Sequence, residues 1–114
     1  MKPLERAFKS LGDATRLRIL KMLEVRPLCN CEIQEILKLA PSTVSKHLGL
    51  LRTAGFVEDE RQGKWVIYRL VEQPEDPMIL SLRSLLQSWG GDQEQIKQDQ
   101  EAARSTQGRY QCGD

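Results

Sequence analysis

The sequence predicts a mainly α-helical domain that carries one two-stranded β-hairpin. Three observations predict it. Between residues 3 and 53, apolar side chains return at helical spacing in four successive segments, each closed by glycine or proline. Residues 56–60 and 65–70 are strand-like and flank Arg61-Gln62-Gly63-Lys64, a hairpin signal. A last stripe, Ile79, Leu82, Leu85, Leu86 and Trp89, again has helical spacing.

The chain has 114 residues, enough for one domain that buries roughly two-thirds of its unfolded surface. No apolar run approaches the about 18 residues of a membrane span, so no membrane association is expected. Met1-Lys2-Pro3-Leu4-Glu5-Arg6 places charges where a signal peptide needs an apolar core. A cytoplasmic protein with reduced thiols is the expectation, and three cysteines do not make a disulfide framework. Net charge is only +1, but it is unevenly spread: residues 1–28 carry +4, residues 42–70 carry +2 and residues 71–114 carry −4. A basic front suits a polyanion, although solvated surface alone produces the same asymmetry.

Residues 3–11 read as the first helix, with Leu4, Ala7, Phe8 and Leu11 on one stripe. Gly12 stops it and Asp13 can cap the next. From Ala14 to about Glu24, Leu17, Ile19, Leu20, Met22 and Leu23 give a wide apolar face that belongs at the core, with Arg16 and Arg18 as solvated flanks. Arg26-Pro27 ends that helix. Residues 28–31 read as a short extended piece, and a third helix follows with Ile33, Ile36 and Leu37 buried. Either Ala40, with Pro41 in the first helical position, or Ser42 caps the fourth helix.

In that helix Val44, Leu48 and Leu51 face inward. Ser42, Thr43, Lys46 and Leu50 face outward, a short, mostly polar and basic surface. It fits a major groove, where small hydroxyl residues allow close approach and Lys or His donates to bases or phosphates. An ordinary surface helix would carry the same residues. The basic hairpin directly after two such helices reads as a wing along the phosphate backbone, which makes residues 28–70 a winged helix-turn-helix. Asp76 or Ser81 begins the last helix. Its stripe and that of the Phe8 helix exceed what one small subunit covers, so both are candidate dimer surfaces. Residues 1–91 form the expected DNA-binding and dimerisation domain. Residues 92–114, polar with few apolar positions, read as a frayed helix or mobile tail.

Four pieces together resemble the ArsR/SmtB family of arsenical-resistance repressors. They are Phe8-Lys9-Ser10-Leu11-Gly12-Asp13-Ala14-Thr15-Arg16-Leu17, the box Leu28-Cys29-Asn30-Cys31-Glu32-Ile33, the reading helix Ser42-x-x-Ser45-x-His47-Leu48, and Arg61-Gln62-Gly63-Lys64-Trp65-x-x-Tyr68-Arg69-Leu70. The likeness covers about residues 4 to 90. It implies a homodimeric repressor, joined through its first and last helices, that sits on an inverted repeat of double-stranded operator DNA. Metal or metalloid binding would release it. It assigns Ser42, Thr43, Ser45, Lys46 and His47 to the DNA face of the reading helix, and Arg61, Gln62 and Lys64 to the wing.

The resemblance also implies Cys29 and Cys31 as metal ligands, with As(III) or Sb(III) as inducer and no cofactor required. The last-helix zinc site of some members has no counterpart, since residues 79–89 contain no His, Asp or Glu. No cysteine precedes Cys29, which argues against the cadmium-type site. Where arsenite-type members often carry a third cysteine, this chain has Gln34. Cys112 is the candidate third ligand; without it the open position would suit methylarsenite. Soft thiolates are the natural ligands of these ions. Cysteines two apart on a regular helix point about 200° apart; in an extended strand they lie on one face, and a frayed helix start could also bring them together, so a bound arsenic atom is expected to distort the start of the third helix. Bare Cys-x-Cys also fits two small buried hydrophobes. Two other functions remain in view: a repressor of the same fold whose thiols sense oxidants or sulfur species, and a thiol-dependent metalloid reductase. The reductase lacks a Cys-x-x-Cys pair and any phosphate-type anion loop, so the chain is expected not to be an enzyme.

Overall fold

The computed structural model describes residues 1–105 and follows the predicted order closely. Helix α1 spans Lys2–Leu11, α2 Ala14–Leu23, α3 Asn30–Leu37 and α4 Pro41–Ala54. Strand β1 is Leu28–Cys29, β2 Val57–Gln62 and β3 Trp65–Leu70; α5 is Pro77–Gln87 and α6 Glu94–Ser105. The architecture is a winged helix-turn-helix, mainly α with an antiparallel hairpin.

Local chemistry sets the boundaries. The Asp13 carboxylate accepts from the Arg16 backbone N–H at 3.1 Å and starts α2. Ala40 is the N-cap of α4 with Pro41 just inside it, which settles the alternative with Ser42. Between α3 and α4 the chain turns through Lys38, whose φ of 56° is left-handed. Gly55 at φ 96° closes α4. Asp76 starts α5 by accepting from the Met78 N–H at 2.9 Å. Gln62 pairs with Trp65 across a two-residue loop, and Gly63 takes φ 61° at its first position, where a hairpin favours glycine.

The core lies where α2, α3, α4 and the sheet meet. Ile19, Met22, Leu28, Ile33, Val44, Leu48, Leu51 and Phe56 are fully buried in it. The sheet order is β1-β3-β2, so the central strand β3 has the wing partner on one side and the two-residue β1 on the other. Extension stops at Cys29: Asn30 is already helical, earlier than a piece reaching Cys31 would require.

Two sequence expectations need correction. The composition from residue 92 onward suggests a polar tail; residues 94–105 instead form α6, docked on α2 and α3. Ile96 and Ala103 are buried, and several polar contacts join them in docking the helix. Arg18 Nε and Nη2 clasp the Asp99 carboxylate at 2.7 and 3.0 Å, Gln100 donates to the Lys21 carbonyl at 3.0 Å, and Arg26 Nε donates to the Ala103 carbonyl at 2.8 Å. The Asp99 carboxylate in turn holds the Arg18 guanidinium above its ordinary range. Neither Arg18 nor Arg16 is the solvated flank their position on α2 suggests: Arg18 is tied to α6, and Arg16 bonds α1 and α4. Polar docking of this kind leaves no hydrophobic period to read.

Asp99 is only 3% exposed at its side chain. Asp99→Ala removes the carboxylate that the partly exposed Arg18 clasps and is therefore expected to cost about 2 kcal/mol of α6 docking, the range of a charge-assisted hydrogen bond. Amide exchange should accelerate across 94–105 while α3 and α4 keep their protection. Unchanged exchange in α6 would show that the ion pair does not hold the helix.

Candidate nucleic-acid interface and thiol junction

The fourth helix presents the expected residues. Ser42, Ser45 and Lys46 are exposed, and Thr43 and His47 are half-buried beside them. Val44, Leu48 and Leu51 fix the helix by the opposite side. On the wing Arg61, Gln62 and Lys64 are exposed at the end of β2 and in the loop. Charge pairing separates two groups of cations. Arg52 is matched by Asp59 at 2.7 Å and Arg69 by Glu60 at 2.9 Å. Among the described residues, Lys46, Arg61 and Lys64 make no ion pair. The outward face of α4 and the hairpin tip thus carry cations that no carboxylate matches.

His47 has a specific neighbour. Arg16 Nη1 lies 3.1 Å from its Nδ1, while Arg16 Nε and Nη2 donate to the carbonyls of Ser10 at 2.8 Å and Lys9 at 3.2 Å. One guanidinium therefore joins the C-terminal end of α1 to the middle of α4. Asp13 stands beside this cluster. Burial raises its carboxyl pKa, but the Arg16 backbone N–H, the Arg16 charge and the Thr15 backbone N–H outweigh that and hold it below the usual range.

The two cysteines of the box meet. Their Sγ atoms are joined as a disulfide, with the Cα atoms 5.4 Å apart. The sequence reading expects reduced thiols, and the structure departs from that by joining them; the expected distortion of the helix start concerns the metalloid-bound state. Cys29 is extended, at φ −79° and ψ 159°, and stands outside α3 as its N-cap. The helical offset of about 200° applies only when both residues are helical. With one in β1 and the other in the first turn of α3, the sulfurs converge while Asn30–Leu37 stays intact. Cys29 is fully buried and Cys31 half-buried. Cys112 lies outside the described residues.

Sequence reasoning missed the groups around this junction. The Cys29 N–H donates to Glu32 Oε1 at 3.0 Å, the reach-back half of a capping box. The spacing Cys29-x-x-Glu32, with Cys in the usual Ser position, was the available signal. Arg26 Nη2 bonds Glu32 Oε2, and the same guanidinium holds the Ala103 carbonyl of α6. Asn30, between the cysteines, accepts from the Val66 N–H of β3 through Oδ1 at 3.2 Å. Gln34 lines a cavity of about 270 Å³ with Asn30, Val44, Ser45, Val66 and Tyr68, where α3, α4 and β3 meet. Burial, and next the Asp59 charge, raise the Tyr68 phenol above its ordinary pKa, against the opposing charge of Arg52.

A helix-turn-helix beside a hairpin with unmatched cations is the architecture of a DNA-binding transcriptional regulator. The family profile described as "Bacterial regulatory protein, arsR family" matches residues 13–59. The chain is 38% identical over 91 residues to the arsenical resistance operon repressor of Escherichia coli (strain K12), covering 79% of this chain and 75% of that protein. It is 41% identical over 86 residues to the arsenic resistance transcriptional regulator ArsR1 of Pseudomonas putida, covering 72% and 67%. Among solved structures, HlyU from Vibrio cholerae N16961 superposes with a TM-score of 0.60 at 31% identity, over 74% of this chain and 91% of that one. The chain belongs to the ArsR family of helix-turn-helix transcriptional repressors and is a regulator rather than an enzyme. Among the described residues no helix is long and apolar enough to cross a membrane.

Proposed function

We propose that the protein is a cytoplasmic, dimeric repressor that leaves its operator when As(III) or Sb(III) bonds Cys29 and Cys31. The observation that carries this reading is the convergence of the two sulfurs at the junction of β1 and α3. Arsenite would exchange two hydroxyl groups for two thiolates, forming two As–S bonds and releasing two waters with the thiol protons. The third position keeps hydroxide, takes the methyl group of methylarsenite, or accepts a thiol. Cys112 is the candidate for that thiol.

The DNA side of the reading rests on Ser42, Thr43, Ser45, Lys46 and His47 for the groove and on Arg61, Gln62 and Lys64 for the backbone. An inverted repeat follows from a twofold dimer. The dimer face is α1 with α5: Phe8 is 56% and Leu85 68% exposed, and Leu4 and Trp89 add to the uncovered apolar surface. A metalloid on Cys29 and Cys31 ties strand to helix, because Cys29 pairs with Ile67 of β3 while Cys31 lies in α3. The wing and the helix that supports α4 are thereby joined at one point.

A second reading has its own observation. The sulfurs are close enough to form a disulfide, so an oxidant or a sulfur species could close the same junction. An operator gel-shift of reduced protein against arsenite, antimonite, methylarsenite, cadmium, lead, zinc and peroxide separates the two. Release by the trivalent arsenicals and antimonite at concentrations where peroxide leaves the complex intact is expected. Release by peroxide alone would move the assignment to thiol oxidation, and a chain ended before Cys112 that releases normally would remove Cys112 from the site.

A further inference from the structure

Strand β1 is two residues long, and its pairing with β3 ends at Cys29 opposite Ile67. In an antiparallel ladder the next rung would join residue 30 to Val66. Asn30 has already entered α3, so its backbone cannot make that rung. Its side-chain carbonyl makes it instead, accepting the Val66 N–H at 3.2 Å. Without this bond the Val66 amide would face the end of the sheet with no strand beyond it. Val66 pairs on its other side with Arg61, one rung from the hairpin loop. The residue between the two cysteines is thus the last fastening of the wing strand to the sensor.

We propose that Asn30 is a positioning residue that transmits bridging of Cys29 and Cys31 to the wing. This rests on the metalloid reading above, but its physical content is narrower. When the sulfurs are joined, both neighbours of Asn30 are tethered and its Oδ1 is held on the Val66 amide, as in this structure. When the thiols are free, the residue loses that tether. The cavity of about 270 Å³ that Asn30 and Val66 both line gives the amide side chain room to leave. The bridged state therefore fixes the wing strand to the α3 frame, and the open state lets the hairpin adjust to the phosphate backbone. The two ligands, metalloid and DNA, compete through one side-chain hydrogen bond, and the coupling must act equally in both directions.

The test compares wild type, Asn30→Ala and Asn30→Asp as full-length chains. Asp keeps the Oδ acceptor and is well tolerated at a helix start. In wild type the Val66 amide should exchange about tenfold more slowly with the thiols bridged, by arsenite or by oxidation, than with them free. In Asn30→Ala the two rates should agree, and Asn30→Asp should restore the difference. Arsenite affinity of free Asn30→Ala should stay within about twofold of wild type, while its arsenite-driven loss of operator affinity falls at least tenfold. A Val66 rate that responds to bridging in Asn30→Ala as it does in wild type would overturn the proposal. So would a loss of arsenite binding in that variant, which would make Asn30 part of the binding site itself. If wild type binds arsenite yet stays on the operator, the repressor reading fails, and the Val66 exchange rates still decide the role of Asn30.

Discussion

Cys29→Ser and Cys31→Ser proteins are expected to hold operator DNA as wild type does and to remain bound when arsenite is added. The effect should be large. Taking a complex from almost wholly bound to almost wholly free needs a differential affinity of about 10⁴, near 5.5 kcal/mol. That differential must come from As–S bonds at the junction of β1 and α3. Serine at position 29 is a conservative probe of this, since serine is a preferred N-cap and Cys29 is the N-cap of α3. The helix start should survive while the soft ligand is gone. Fluorescence anisotropy of labelled operator with rising arsenite measures the outcome. Wild-type release by both variants would remove the sensor from these residues.

Operator affinity should also fall steeply with salt. If α4 and the wing of each subunit supply about 6–10 phosphate contacts per dimer, affinity should drop by about 10³–10⁵ between 50 and 200 mM salt. The slope can be dissected, because Arg61 and Lys64 carry no ion-pair partner among the described residues, whereas Arg52 and Arg69 are paired with Asp59 and Glu60. Arg61→Ala and Lys64→Ala should each lower the slope by about one unit for every phosphate left without its cation. Arg52→Ala should leave it nearly unchanged. A flat salt response would mean that the hairpin and the outer face of α4 do not meet the backbone.

Much of this was legible in the sequence, for identifiable reasons. The boundaries from α1 to α5 are written in apolar spacing, in Asp13 and Asp76 as caps, and in Gly55 and Gly63 where positive φ is needed. The hairpin and the outward residues of α4 follow from those boundaries. What stayed hidden has a common cause: side chains meeting across long separations through charge or amide groups. Helix α6 docks by Asp99 on Arg18 and Ala103 on Arg26, 81 and 77 residues apart, with little apolar period to reveal it. Arg16 occupies a flank of α2 by periodicity, yet it binds two carbonyls at the end of α1 and the ring of His47. The cysteine geometry was hidden for a different reason. The sequence reading places both residues in one extended piece, whereas α3 begins at Asn30, so that one cysteine stands in β1 and the other in the first turn of the helix.

The Arg16–His47 contact has a consequence for how operator sequence can be read. A guanidinium can only donate, so Nδ1 of the neutral ring must accept and the proton resides on Nε2. The imidazole is thereby locked into one tautomer, with a lone N–H on its opposite edge. Any base that edge meets has to offer a lone pair, as guanine does through N7 or O6, and the cytosine amino group is refused.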